Sequence, residues 1–356
     1  MVHRQLSSNR RTLVSAIGAA MIGAVTAGAA LLPSAALAKA EYTIRFSHVE
    51  QMTGTVKGQS ATKFKEYVEE KSNGRIKVQI YPNSELFGDS NEMQALQSNS
   101  VQMILPSTAK FTTVAKTMQV FDLPYLFNSI DEAVKVLGRD ASQNALHAVA
   151  YDNPDLKAKG FHVLGFVPGG FAQLTANKPL NVPSDLKGLT IRVQPSKVLE
   201  RTIETWGGDA TNLAYNELYN ALQQGVVDGE INNYTSITGP KLYEVQKYLL
   251  ETNESFVGFV LTINRNFFNG LPQDLQKVVE DASNEVMAYS ASLAQEIEQK
   301  NKQLIIDSGK TKVTELTDAE RKVWQDLVVP AVWNEFRDQL GSDLIDNLLS
   351  ERKSGA

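Results

Sequence analysis

Cysteine is absent from all 356 residues, which excludes disulfides, a thiolate nucleophile and any Cys-based metal site. Histidine is scarce: His3 lies in the N-terminal leader, and His48, His147 and His162 are too scattered for zinc-ligand spacing. There is no Gly-x-x-x-x-Gly-Lys-Ser/Thr loop, no Gly-x-Gly-x-x-Gly after a strand and no Gly-x-Ser-x-Gly elbow. The carboxylates are many but sit mostly on the solvated faces of predicted helices, so no catalytic constellation, metal site or cofactor is assigned and the chain is read as a non-enzyme. After residue 38 no apolar run approaches the roughly 18 residues of a membrane-spanning helix. No Gly/Ser-rich linker separates one half of the chain from the other.

What is present begins with a leader. The segment "MVHRQLSSNRRTLV" carries Arg4, Arg10 and Arg11 and no acid, an Ala/Gly-rich apolar stretch follows, and Ala36-Leu37-Ala38 supplies the small residues of a cleavage site. This is an export signal over residues 1–38, with periplasmic localisation as the expectation; a retained anchor is the competing reading. "SNRRTLV" is a partial twin-arginine pattern, so the Tat and Sec routes both stand. Without residues 1–38 the 35 basic residues fall by 3 to 32 against 40 acidic ones, a net charge of −8. An acidic surface of that kind argues against nucleic acid or anionic lipid as partner. The remaining 318 residues (356 minus 38) exceed one simple core and predict two lobes.

The periodicities predict an α/β fold. "YTIRFSH" (Tyr42–His48) alternates as a strand, "SATKFKEYVEEKSNG" places Ala61, Phe64 and Val68 on one helical face, and "RIKVQIY" alternates again. Ser90 is the expected N-cap of a helix over "NEMQALQSN", and Val101–Pro106 a third strand, giving the alternation of a parallel sheet. The pattern returns in "LTIRVQ", "SKVLERTIETWGG", "NELYNALQQG" and "VVDGEI", and Ala-Leu-Gln recurs at Ala95 and Ala221, each six residues before a valine (Val101, Val227). In such sheets ligands bind beyond the carboxyl ends of the strands, which makes His48, Ser107 and Asn232 candidates. Leu275, Val279, Ala282, Val286, Tyr289, Leu293 and Ile297 define one very long helix, or two joined by a slight bend, running along both lobes, a coiled-coil arm being the alternative. Thr317 and Glu320 form a capping box, and Pro330 is expected to end or kink the helix that follows. In "DLKGLTIRVQPS", Arg192 lies on the polar face of a strand with Thr190 and Gln194; it is either a solvated charge or a guanidinium aimed into a cleft.

Five phrases, "VFDLPYLF", "YPNSELFGDSNEMQALQ", "DLKGLTIRVQPS", "YNELYNALQQGVVDG" and "YEVQKYL", resemble in order the extracytoplasmic solute-binding proteins of tripartite ATP-independent periplasmic (TRAP) transporters, the dicarboxylate-binding branch above all. The resemblance runs from Tyr42 to about Leu349. It implies a two-lobe periplasmic-binding-protein-like fold, here divided as 41–168 with 258–297 and 169–257 with 298–351. It further implies a monomer that captures a small organic acid by hinge closure and delivers it to sodium-driven integral membrane subunits. By that resemblance Arg192 grips the ligand carboxylate, Asn232 bonds the ligand and Tyr215 covers it, with a core role as the alternative for Tyr215. Gln173, Ser107, His48 and Asp89 match cleft positions, though Ser107, His48 and Asp89 also suit caps or turns. Departures stand beside these matches. Ala172 replaces a usual basic residue in "GGFAQL", Ile231 replaces a common glutamate, and Glu230 replaces a glutamine. A buried second carboxylate needs a paired cation, so a monocarboxylate carrying hydroxyls or an amine is expected rather than a succinate-like dicarboxylate, with Glu230 available to an amine. The same fold binding an amine-bearing or zwitterionic solute, a sensor or chemoreceptor role, and an exported carbohydrate-active enzyme are the alternatives.

Overall fold

The computed structural model describes residues 40–138 and 145–354; the expected export signal over residues 1–38 lies outside the described residues. Eleven strands form among them: β1 Tyr42–Ser47, β2 Ile76–Tyr81, β3 Met103–Ile104, β4 Phe161–Phe171, β5 Gln173–Ala176, β6 Thr190–Val193, β7 Asp209–Asn212, β8 Gly229–Asn232, β9 Tyr248–Glu251, β10 Phe256–Asn264 and β11 Lys312–Glu315. They make two sheets, in the orders β2-β1-β3-β10-β4 and β11-β9-β5-β8-β6-β7, one to each lobe. The predicted parallel sheet is realised where β1 pairs β2 and β3. Each sheet is nonetheless mixed, because β10 runs antiparallel to β3 and β4, and β5 antiparallel to β8 and β9. The repeated Ala-Leu-Gln phrases end the matching helices Glu92–Gln97 and Leu218–Gln224, which feed β3 and β8, each inside its sheet.

Local chemistry explains most boundaries. The first long helix begins at Val56, four residues before the predicted start, because the Thr55 side chain accepts a hydrogen bond from the Gly58 amide; Ala61, Phe64 and Val68 are buried as their spacing predicts. The helix expected behind Ser90 starts at Glu92 with Asn91 in the cap position and no side-chain cap bond, which corrects that expectation by one residue. Thr317 and Glu320 do form a capping box, but the helix runs through Pro330 from Asp318 to Leu340, so proline neither ends it nor sets its limit. Here the buried Trp324, Val328, Val332, Trp333 and Phe336 hold the helix on both sides of the proline.

The chain passes between the sheets three times: at Ala172 between β4 and β5, through residues 252–255 between β9 and β10, and along the helix Gln273–Ser308. That helix is single and 36 residues long, roughly 54 Å at ~1.5 Å per residue. It is no free arm, because Leu275, Val279, Ala282, Val286 and Ile297 are buried. Midway the stripe shifts: Ser290 and Ala294 are buried, whereas Tyr289 and Leu293 are half-exposed. Near its end Glu298 and Asn301 are buried too. Glu298 accepts from the amides of Tyr234 and Thr235 at 3.0 and 2.9 Å, from the Thr235 hydroxyl at 2.6 Å and from Asn233 Nδ2 at 3.0 Å. Asn233 Nδ2 also donates to the carbonyl of Gly169, and a Cβ on Gly170 would stand 2.4 Å from Glu298 Oε2. One carboxylate thus ties the long helix, the end of β4 and the segment after β8 into a hinge.

Four donors converge on Glu298, so its charged form is the one the hinge is built for, although burial pushes its pKa up to about 7. Replacing it by the isosteric glutamine turns an amide toward those donors. Glu298→Gln should therefore lower unfolding free energy by about 2 kcal/mol in urea titration at pH 8; a change below about 0.5 kcal/mol would show the staple to be dispensable.

Candidate functional site

Strand register assembles the site. Arg192 on β6 lies beside Glu230 on β8, which lies opposite Thr175 on β5, and Asn232 lies opposite Gln173. Two-residue alternation puts Thr175, Glu230, Arg192, Asn232 and Gln173 on one face of the second sheet. Arg192 is 1% exposed, so the solvated-charge alternative is overturned. Its Nε donates to the Leu213 carbonyl at 2.9 Å, and its Nη1 has no hydrogen-bond partner among the described residues. Burial works against the guanidinium charge, while Asp89 and Glu230 favour it.

Arg192, Asn232 and Tyr215 meet Asp89 and Ser107 from the first lobe around a small cavity of about 20 Å³. Asp89 accepts from the Tyr215 amide at 2.9 Å and pairs with Lys110 at 2.7 Å. Burial raises its pKa, but Lys110 more than offsets this and holds the carboxylate below its ordinary value. Ser107 bonds Gln194, the Tyr215 hydroxyl donates to the Ser236 carbonyl at 2.9 Å, and Asn232 Nδ2 donates to Glu230 at 2.6 Å. The Lys197 amide donates to Gln119 at 3.0 Å and Gln51 Nε2 to the Gly239 carbonyl at 2.9 Å, so direct bonds link the lobes around the cavity.

Three expected residues do not line this cavity. Glu230 stands behind Arg192 and Asn232, held by Thr175 at 3.1 Å, and burial pushes its pKa up to about 7 against the pull of Arg192. Gln173 is turned to the crossing, donating to the Phe171 carbonyl at 3.0 Å and to Asn253 at 2.7 Å. His48 is fully buried with its ring edge-on to Phe46; burial first, then Lys57, holds its pKa down to about 3, so it stays neutral. Its place is set by packing, because the chain turns after β1 before it reaches the cavity.

Residues missed from the sequence complete the wall: Glu50, Lys57, Gln194 and Ser236, with Val257 and Phe259. Gln194 shares a strand face with Arg192, so alternation pointed at it. Glu50 and Lys57 lie around an irregular loop with no period to betray them. Lys57 pairs with Glu50 at 3.2 Å and lies 4.1 Å from the Phe259 ring centre. Cations are therefore not confined to Arg192, and Ala172 is buried in the inter-lobe crossing, where its amide donates to the Ser255 carbonyl at 2.9 Å. A roomier hollow of about 360 Å³ lies against the long helix, but Asn284 is the sole polar side chain in its lining and nothing there would orient an ion. Among the described residues no three His, Cys, Asp or Glu side chains are placed to hold a metal ion, and no helix is long and apolar enough to cross a membrane.

Comparison with known proteins agrees with this architecture. Residues 46–339 match the family described as bacterial extracellular solute-binding protein, family 7. The C4-dicarboxylate-binding periplasmic protein DctP of Rhodobacter capsulatus is 38% identical over 327 residues, 92% of this chain and 95% of that protein. A TRAP periplasmic solute-binding protein of Shewanella oneidensis, solved with bound succinate, superposes with a TM-score of 0.80 at 38% identity, covering 87% of this chain and 98% of that one. The sugar-acid-binding protein of Advenella mimigardefordensis, solved with galactonate, also gives 0.80, at 26% identity, covering 88% and 98%.

Beside the cavity, Glu92 is 1% exposed and neither carboxylate oxygen has a hydrogen-bond partner among the described residues. Burial, then repulsion from Asp89, lifts its pKa from 4.5 to about 8. The folded protein thus holds a proton that the unfolded chain has lost, so this contribution to stability is full below the unfolded value and disappears as pH rises through about 8. Thermal unfolding at pH 6, 7.5 and 9 should show wild type losing stability relative to Glu92→Gln as pH rises. Parallel curves would mean that Glu92 is not protonated in the fold.

Proposed function

This chain belongs to bacterial extracellular solute-binding protein family 7, and from that premise we propose that it captures a small organic acid between its lobes, with Arg192 gripping a carboxylate. The observation that carries the reading is a buried guanidinium on the cleft wall with an unpartnered nitrogen. Its planar fork can offer two parallel N–H bonds to a carboxylate, a geometry an ammonium cannot reproduce. Asn232 and Ser107 supply neutral bonds to the same ligand and Tyr215 covers it. Glu230 orients Asn232, Asp89 positions Tyr215, and Gln173 and His48 act by holding the backbone around them.

The protein works by binding rather than catalysis. Contacts from both walls favour the closed arrangement, and the inter-lobe bonds of Gln51, Ser107 and Lys197 would open with the hinge. We place the lobes at 41–168 with 258–297 and at 169–257 with 298–351; the crossings at Ala172 and residues 252–255 fall within a few residues of the first two limits, and Glu298 on the long helix stands at the third. The delivery partner in this reading is a TRAP-type pair of integral membrane subunits driven by a sodium gradient, served by an exported monomer. The relatives with bound succinate and galactonate support an organic acid as cargo.

A thermal-shift panel of mono- and dicarboxylates, sugar acids and amino acids tests the clamp. A ligand at a hundred times its dissociation constant adds about 2.7 kcal/mol to wild-type stability. Arg192→Lys should weaken the bound acid at least about tenfold and Arg192→Ala more, each lost charged hydrogen bond being worth roughly 1.5–3 kcal/mol. Unchanged affinity in both variants would remove Arg192 from the site.

A further inference from the structure

Among the charged groups that face the cavity, the cations are already engaged with one exception. Lys57 is bound to Glu50 and lies against the Phe259 ring, and Lys110, beside the cavity, is bound to Asp89. Only the Arg192 guanidinium presents a nitrogen without a partner among the described residues. The site is therefore arranged for one carboxylate at that pole.

The first-lobe side of the wall has the opposite character. Glu50 is 3% exposed and lines the cavity on the first-lobe side. Its Oε1 receives Lys57 at 3.2 Å and the Ser236 hydroxyl at 3.3 Å, while Oε2 has no hydrogen-bond partner among the described residues. Glu50 and Tyr215, with Val49, also line a second hollow, of about 180 Å³, reaching Asn83, Tyr219 and Pro240. Those three residues are shared by the inner cavity and the outer one. Burial first, then the charges of Glu50 and Glu230, raise the pKa of the Tyr215 hydroxyl, while Arg192 lowers it, so Tyr215 stands among these charges. A carboxylate oxygen accepts hydrogen bonds and donates none, and leaving it buried without a partner is unfavourable.

Resting on the reading of Arg192 as the carboxylate clamp, we propose that Glu50 determines specificity at the far end of the ligand: it selects acids that carry a hydroxyl there and rejects a second carboxylate. A hydroxyl can donate to Glu50 Oε2 and accept from a neighbour. A second carboxylate would meet like charge in a desolvated place, because Lys57 is committed to Glu50 itself. An ammonium would crowd Lys57, which already supplies the positive charge that Glu50 needs. The expected cargo is a hydroxy monocarboxylate.

Isothermal titration of the purified protein with four homologous sets, three to six carbons long, tests this: unbranched alkanoates, ω-hydroxy acids, ω-amino acids and α,ω-dicarboxylates. At the best-fitting length the hydroxy acid should bind at least tenfold tighter than the other three. Glu50→Gln should erase most of that preference and, by releasing Lys57, raise dicarboxylate affinity about tenfold. If that variant fails to fold with Lys57 left unpaired, the double variant Glu50→Gln, Lys57→Met carries the test, losing the hydroxyl preference without gaining dicarboxylates. Dicarboxylates or amino acids binding wild type best overturns the proposal, as does a hydroxyl preference that survives in the folded variants. Acids that bind through Arg192 with no preference at the far end remove the role of Glu50 alone. If no acid binds at any length, or binding is indifferent to Arg192→Ala, the clamp reading falls with it.

Discussion

A guanidinium with 1% of its surface exposed is expensive to keep inside a protein, and the second sheet is organised around keeping Arg192 there. The Leu213 carbonyl takes Nε, while Asp89 and Glu230 supply negative potential from opposite lobes. Neither acid is free to collapse onto the guanidinium. Asp89 is claimed by Lys110 and the Tyr215 amide, and Glu230 by Thr175 and Asn232. The outcome is a cation that is stabilised at a distance yet retains a donor for a ligand, which is the condition for binding an anion selectively.

The same interaction couples binding to shape. Asp89 belongs to the first lobe and Arg192 to the second, so the electrostatic support of the clamp is complete only when the lobes meet. The hinge that allows this includes two strand crossings and one helix, and Glu298 on that helix binds Asn233, Tyr234 and Thr235, the three residues that follow Asn232. A ligand that reaches both walls therefore acts on a joint whose geometry is already fixed, and its binding energy goes into closure rather than into ordering the site.

Charge distribution also explains why counting cations along the sequence misleads. Ala172 suggests a missing positive charge, but its position lies in the crossing, and Lys57 and Lys110 bring cations from elsewhere. Each brings its own acid, so the number of lysines near the cavity says little about the number of carboxylates it can hold. What matters is which donors remain unpaired after the internal pairs have formed.

The sequence by itself determined the α/β class, the one long helix, the Thr317 capping box and the strand face that carries Arg192 and Gln194. These follow from short-range rules: alternation of two along a strand, a spacing of three to four along a helix, and side chains that satisfy a neighbouring amide. Ser107 and Asn232 were marked by their place at strand ends, and Asp89 and Tyr215 by phrases shared with a family, since nothing in their local spacing brings the four together. Tertiary structure alone decided that Glu50 meets Lys57, that Glu298 on an otherwise ordinary helix face becomes a hinge staple, that Pro330 is tolerated, and that His48 and Gln173 turn away from the cavity. Each of those outcomes depends on residues far apart in the chain arriving at one buried place, where an unpaired charge or amide is costly, and no local period records such a meeting.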